Sequence, residues 1–245
     1  MRIAGKGLIN REKTLNFKFD GRSYKGFEGD TVASALLASG KKIFGRSFKY
    51  HRPRGVLTAG SEEPNALITV GQGAFQDPNV RATTQEIFEG LITRSQNNWP
   101  NLQYDILSVN DLFSNFLGAG FYYKTFMWPK SFWEKIYEPF IRRAAGLGAL
   151  SGLHNSDTYE KAYAFCDLLI IGGGPSGLMA AKIAAKAGLD VILAEQEPIF
   201  GGRLNSETEK VDGIPGSDWA AKIVEELKEL DNVRLYLRTT VTGVY

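Results

Sequence analysis

Apolar and polar residues alternate through Leu15, Phe17 and Phe19, the period of a strand with one covered face, and Asp20-Gly21 supplies a hairpin turn into a second strand over Arg22 to Phe27. The spacing then changes. In "EGDTVASALLASG", Val32, Ala35, Leu36 and Ser39 fall along one helical face, Asp30 or Thr31 stands at the N-cap, and Gly40 is the stop signal. Two further runs, "NALITVG" at 65–71 and "VRATTQEI" at 80–87, read as strands. Strand, strand, helix, strand, strand predicts a small α+β domain of the β-grasp type over residues 1–100, closing near Asn98-Trp99-Pro100.

The pattern is lost over 101–165. Between Phe113 and Phe140 stand Phe113, Phe116, Phe121, Tyr122, Tyr123, Phe126, Trp128, Phe132, Trp133, Tyr137 and Phe140, a density expected to be buried against a neighbouring domain or subunit. Pro129 and Pro139 break any long amphipathic face, so a helical connector is expected here rather than an interfacial membrane helix. The most suspicious apolar piece, "FLGAGFYY" from Phe116, is far too short to span a bilayer. The glycines and polar residues of "GLGALSGLHNSD" at 146–157 read as a linker.

A regular order of elements returns over 166–245. Asp167 to Ile171 is a short, nearly continuous apolar strand of the kind covered on both faces in a parallel sheet. It runs into Gly172-x-Gly174-x-x-Gly177 and a helix from Leu178 to Ala187. A second strand from Asp190 to Ala194 ends in Glu195, eighteen residues after Gly177. Strand, glycine turn, helix, strand and acidic residue in this order make the complete dinucleotide-binding fingerprint, which is far more specific than the glycines alone. Gly172 permits the tight turn, Gly174 lets a pyrophosphate approach the backbone, and Gly177 lets the helix pack on the strand. Gly173, Pro175 and Ser176 complete the loop and open the helix, whose N–H groups and positive dipole end suit an anion. Glu195 is expected to accept ribose hydroxyls and to repel a 2′-phosphate, which disfavours NADP and leaves NAD or FAD. Gln196, Gly202 and Arg203 are second-rank site candidates in the loop that follows. Ser217 or Asp218 is expected to cap a helix with the core stripe Trp219, Ile223, Leu227 and Leu230, ahead of a third strand over Val233 to Leu237. Three strands make one mononucleotide-binding half, so the segment is expected to be the N-terminal part of a Rossmann-like α/β domain, incomplete at its C-terminal side.

Composition adds limits. A net charge of +2 argues for neither nucleic acid nor a membrane surface, and neither partner is expected. One cysteine permits no intramolecular disulfide, which fits a reducing cytoplasmic location. The acid-free span holding Lys41, Lys42, Arg46, Lys49, Arg52 and Arg54 reads as a solvated or subunit-facing surface. Within it His51 is expected to be a polar contact rather than a base, and no catalytic or metal-ligating constellation is nominated.

Three stretches together, "RSFKYHRPRGVLTAGSEEPNALITV" at 46–70, "AGFYYKTFMWPKSFWEKIYEPFIRRAAGLG" at 119–148 and "DLLIIGGGPSGLMAA" at 167–181, resemble the alpha subunits of heterotetrameric sarcosine oxidases. The resemblance implies a ferredoxin-like β-grasp domain ahead of a dinucleotide-binding domain holding NAD. It implies partner beta, gamma and delta subunits, and oxidative demethylation of sarcosine to glycine with oxygen. FAD, FMN and tetrahydrofolate are then expected elsewhere in the complex. The residues that carry over are Gly172, Gly174, Gly177 and Glu195; the catalytic groups are expected outside this chain. Iron–sulfur relatives of the module need four cluster cysteines, and none stands between Arg46 and Gly60, so a module without a cluster is expected. Two readings stay open beside this one: the alpha subunit of a dye-linked amine, proline or opine dehydrogenase binding FAD at the fingerprint, and a non-catalytic assembly module with a structural nucleotide.

Overall fold

A computed structural model describes the chain except residues 1, 4–6, 116–117, 121–125, 145 and 244–245. It divides into two compact units, Met1–Asp157 and Thr158–Tyr245.

In the first unit, β1 (Asn10–Phe19) and β2 (Arg22–Glu28) form the predicted hairpin. Helix α1 (Val32–Ala38) starts at Thr31, whose hydroxyl accepts the Ser34 N–H while Ser34 Oγ accepts the Thr31 N–H, a reciprocal capping box. Gly40 takes the positive φ expected of the stop position. Two short strands, β3 (Gly45–Arg46) and β4 (Pro53–Arg54), pair as a separate ribbon. The main sheet is completed by β5 (Leu67–Val70), β6 (Asp77–Arg81) and β7 (Ile92–Ser95), in the order β2-β1-β7-β5-β6. Only the central pair, β1 with β7, is parallel. Phe17, Phe19, Val32, Leu36, Phe44 and Ile68 fill the space between sheet and helix.

Two expectations change here. The strand expected over 80–87 stops at Arg81, because the next residues turn back to serve the helix: the carbonyls of Ala82 and Gln85 accept the N–H groups of Ala33 and Val32. The central strand β7 is one that the hydrophobic pattern did not reveal, since only four residues carry it and Thr93, fully buried, is polar; its hydroxyl is satisfied by the Lys18 carbonyl.

The aromatic connector also departs from expectation. A 3-10 helix, Ile106–Phe113, is followed by a π turn, Trp133–Tyr137, that leads into α2 (Glu138–Ala144). Phe126, Phe132 and Tyr137 pack their rings together, but Trp128 is 83% and Phe140 68% exposed. Phe116, Phe121, Tyr122 and Tyr123 lie outside the described residues.

The connector is held by its polar groups. Arg46, reaching inward from the cationic segment, donates to the carbonyls of Leu102, Gln103 and His51. His51 Nδ1 lies 2.7 Å from the buried Asp105 carboxylate, which also accepts the Trp99 and Leu107 N–H groups. Arg52 forms two hydrogen bonds to Asp111, and Lys49 donates to the Gly118 carbonyl. The cationic run expected to be a solvated or subunit-facing surface spends Arg46, Lys49 and Arg52 as a clasp on residues 99–118.

In the second unit, β8 (Leu168–Ile171), β9 (Val191–Ala194) and β12 (Val233–Tyr236) form a parallel sheet in the order β12-β9-β8. Helices α3 (Pro175–Lys186) and α4 (Gly216–Lys228) cover one face, burying Leu178, Val191, Leu193, Trp219, Ile223 and Leu227. A small ribbon, β10 (Lys210–Val211) with β11 (Ile214–Pro215), precedes α4. Neither Ser217 nor Asp218 caps that helix: it starts at Gly216, with Pro215 at the N-cap and no side-chain cap bond. β8 was expected to be covered on both sides, yet it is an edge strand whose Leu169 and Ile171 are 45% and 59% exposed. Among the described residues no helix is long and apolar enough to cross a membrane.

Candidate dinucleotide-binding site

The carboxyl ends of three parallel strands meet at one edge of the second unit, which is where open α/β sheets hold their ligands. β8 ends in Gly172, whose φ of 97° is open to glycine and closed to nearly every other residue. The chain then turns directly into α3 with Gly174 at the N-cap and Pro175 in the first turn, where a missing N–H costs nothing. Ser176 and Gly177 complete that turn. A Cβ on Gly177 would lie 1.9 Å from the Gly172 carbonyl oxygen, so the helix can approach the strand end only with glycine there. A Cβ on Gly174 would meet nothing within 4 Å. Gly174 is therefore not demanded by the fold; open space in front of an N-terminal helical turn is what a diphosphate requires.

Glu195 follows β9 and is only 7% exposed. Its carboxylate accepts the Gly173 N–H at 2.6 Å and the Glu197 N–H at 2.9 Å, one on each oxygen. Four lone-pair sites minus two bonds leave acceptor capacity for ribose hydroxyls. Its backbone is pinned from the third strand, the Glu195 N–H donating to the Tyr236 carbonyl and the Glu195 carbonyl accepting the Thr239 N–H. Residues 237–239 thus belong to the same rim, a placement that three strand ends sharing one edge foretell but no motif marks.

The second-rank candidates separate. Gly202, at a φ of 52°, packs so closely on the fingerprint that a Cβ there would lie 3.2 Å from the Gly174 Cα, and the adjacent Gly201 N–H donates to the Gly173 carbonyl. This second glycine pair buttresses the phosphate loop. Phe200, which the sequence did not single out, fills the space where a Gly173 side chain would stand. Gln196 is exposed beside Glu195, and Arg203 is exposed and paired with Glu207 at 2.7 Å.

The β-grasp module and the fingerprint-bearing parallel sheet are each matched by a family model. Residues 12–98 match a 2Fe-2S iron-sulfur cluster binding domain, and residues 167–243 match an FAD dependent oxidoreductase domain. The chain is a homologue of sarcosine oxidase subunit alpha. It is 57% identical over 244 residues, 100% of this chain and 25% of the relative, to the protein of that name from Rhizobium meliloti (strain 1021). It is 33% identical over 97% of its length, and 20% of the relative, to that from Corynebacterium sp. (strain U-96). The chain thus spans between a fifth and a quarter of the length of these curated relatives, 20% and 25%. Among solved structures, L-proline dehydrogenase from P. horikoshii superposes with a TM-score of 0.52 at 19% identity, covering 94% of this chain and 34% of that one, a likeness of fold.

These matches correct the cofactor expectations. The FAD dependent family model overturns NAD at the fingerprint, and the 2Fe-2S family model overturns the expectation of a module without a cluster. The residues present fit the two groups differently. The open cradle at Gly174, the first turn of α3 and the spare acceptors of Glu195 fit the ADP half of FAD. Residues 12–98 contain no cysteine, and the described residues contain no group of three or more His, Cys, Asp or Glu able to hold a metal ion, so this donor set does not fit a cluster.

Proposed function

We propose that this chain is the N-terminal part of the alpha subunit of a heterotetrameric, cytoplasmic sarcosine oxidase. In this reading it contributes an FAD-binding half-site to a complex that demethylates sarcosine oxidatively to glycine, with oxygen as electron acceptor and tetrahydrofolate taking the methyl carbon. The 57% identity over the whole chain supports the family, and the partly used Glu195 carboxylate facing an open glycine turn is the observation that carries the site. Gly172, Gly173, Gly174, Pro175, Ser176 and Gly177 bring the backbone to the diphosphate, Glu195 orients the ribose, and Gln196 and Gly202 border them. Bound FAD would supply reversible two-electron chemistry, while the groups of this chain bind and orient it. The alpha designation of the relatives implies unlike partner subunits.

The test is made on the complete complex: denature it, release the non-covalent cofactors and quantify them for native protein and Glu195→Ala. Loss of one FAD equivalent from the variant is expected. Unchanged FAD content would refute the site assignment.

A further inference from the structure

The cationic segment 41–54 is only partly used by the clasp. Lys41 sits over the Phe19 ring at 5.6 Å, Arg46 is spent on carbonyls, Lys49 on Gly118 and Arg52 on Asp111. The Arg54 guanidinium, in contrast, has no hydrogen-bond or ion-pair partner among the described residues. Arg54 lines a cleft of about 170 Å³ formed by chain segments far apart in sequence, with Arg46, Phe48, Pro64, Asn65 and Leu67 among its walls. The Asn65 side-chain amide is likewise without a partner among the described residues, and no acidic residue lines the cleft. The nearest carboxylate in sequence, Glu63, is 1% exposed and fully occupied by backbone N–H groups.

We propose that this cleft binds a carboxylate group, held by the Arg54 guanidinium and the Asn65 amide with a short apolar tail against Phe48. A planar guanidinium fork matches two carboxylate oxygens. Phosphate suits the site less well, because Phe48, Pro64 and Leu67 wall part of the cleft and no helix N-terminus opens here, while Ser47, Gln96 and Asn97 supply its other polar lining. The carboxylate comes either from a free small acid or from an acidic side chain or C-terminus of a partner subunit; the recognition chemistry is the same.

The test uses the complete complex, native and Arg54→Gln, with propionate as probe and propionamide as the uncharged control, read by saturation-transfer NMR. Arg54→Gln is expected to leave thermal unfolding unchanged, because the side chain holds nothing in the fold. It is expected to weaken propionate binding about tenfold, the worth of one charge-assisted hydrogen bond, while propionamide binds to neither protein. If propionate binding is unchanged but Arg54→Gln weakens subunit association about tenfold, with Arg54→Lys restoring part of it, the carboxylate belongs to a partner chain and the site stands. Unchanged propionate binding together with unchanged subunit association overturns the proposal.

Discussion

Two buried carboxylates, one in each unit, do opposite things with the same chemistry. Glu63 is 1% exposed and accepts four backbone N–H groups, Leu57 and Thr58 on one oxygen and Asn65 and Ala66 on the other. Glu195 is 7% exposed and accepts two, from Gly173 and Glu197. A carboxylate has about four acceptor sites. Glu63 is saturated and Glu195 is half used, so the first is a keystone of its loop while the second is poised for a ligand. Burial alone does not separate a structural from a functional acid; the unused acceptor capacity does.

The largest expected effect comes from breaking the saturated member. Glu63→Gln turns an amide NH2 toward two N–H groups that then lose their acceptor, and should cost about 2–5 kcal/mol of stability in the first unit. Glu195→Gln turns its NH2 toward only one N–H group, Gly173 or Glu197, and should cost about 1–3 kcal/mol of stability while weakening FAD about tenfold. Denaturant unfolding and flavin titration on both variants check the crossover; equal stability losses would erase the distinction.

Next comes the glycine pair of the fingerprint. Gly177→Ala places a methyl 1.9 Å from a backbone oxygen and should cost about 1–3 kcal/mol as the helix is pushed from the strand. Gly174→Ala meets nothing within 4 Å, so stability should change by less than about 1 kcal/mol while FAD retention falls sharply. Thermal melts alongside cofactor content separate a glycine kept for the fold from one kept for the ligand.

Acid gives a third, smaller handle on Glu63. Burial pushes its carboxyl upward, but the N–H bonds from Thr58, Asn65, Leu57 and Ala66 outweigh burial and hold it below its ordinary value of 4.5. A carboxylate depressed on folding contributes stability that is fully present above that ordinary value and is lost as pH falls through the folded-state value. The first unit should therefore weaken as pH drops below about 4.5, and Glu63→Gln should remove that part of the slope. An identical acid profile in the variant would show that Glu63 does not carry it.

The sequence made much of this legible. Strict alternation announced β1 and β2, the Thr31 cap and Gly40 bracketed α1, and the order of strand, glycines, helix and Glu195 marked the fingerprint because each step has a local physical cause. What stayed hidden was set by distant partners. The helix-serving turn at 82–87 and the buried Thr93 owe their form to contacts with α1 and β1, and Phe200 matters only because Gly173 is opposite it. Glu63 in "GSEEPNA" looks like any surface acid until the loop closes on it. The cationic run misled for the same reason, since charge in a sequence does not say which members face inward.

That run supplies the smallest expected effect. Arg52 and Asp111 are half-exposed, and their ion pair is one of several ties holding the connector, next to the buried pairing of His51 with Asp105. Arg52→Ala removes both hydrogen bonds to Asp111 Oδ1 and the stacking of the guanidinium on Tyr50 at 4.8 Å, yet water replaces the lost partner of Asp111. The cost should be at most about 1 kcal/mol, fading at high salt as exposed pairs do. Asp105→Ala attacks the other end of the same clasp, stripping a buried acceptor from His51 and from the N–H groups of Trp99 and Leu107, and should cost several times more. Measuring both in low and high salt decides whether the clasp is held by surface charge or by buried acceptors. A salt-sensitive loss in Arg52→Ala that equals the loss in Asp105→Ala would favour surface charge and remove the parallel between Asp105 and Glu63.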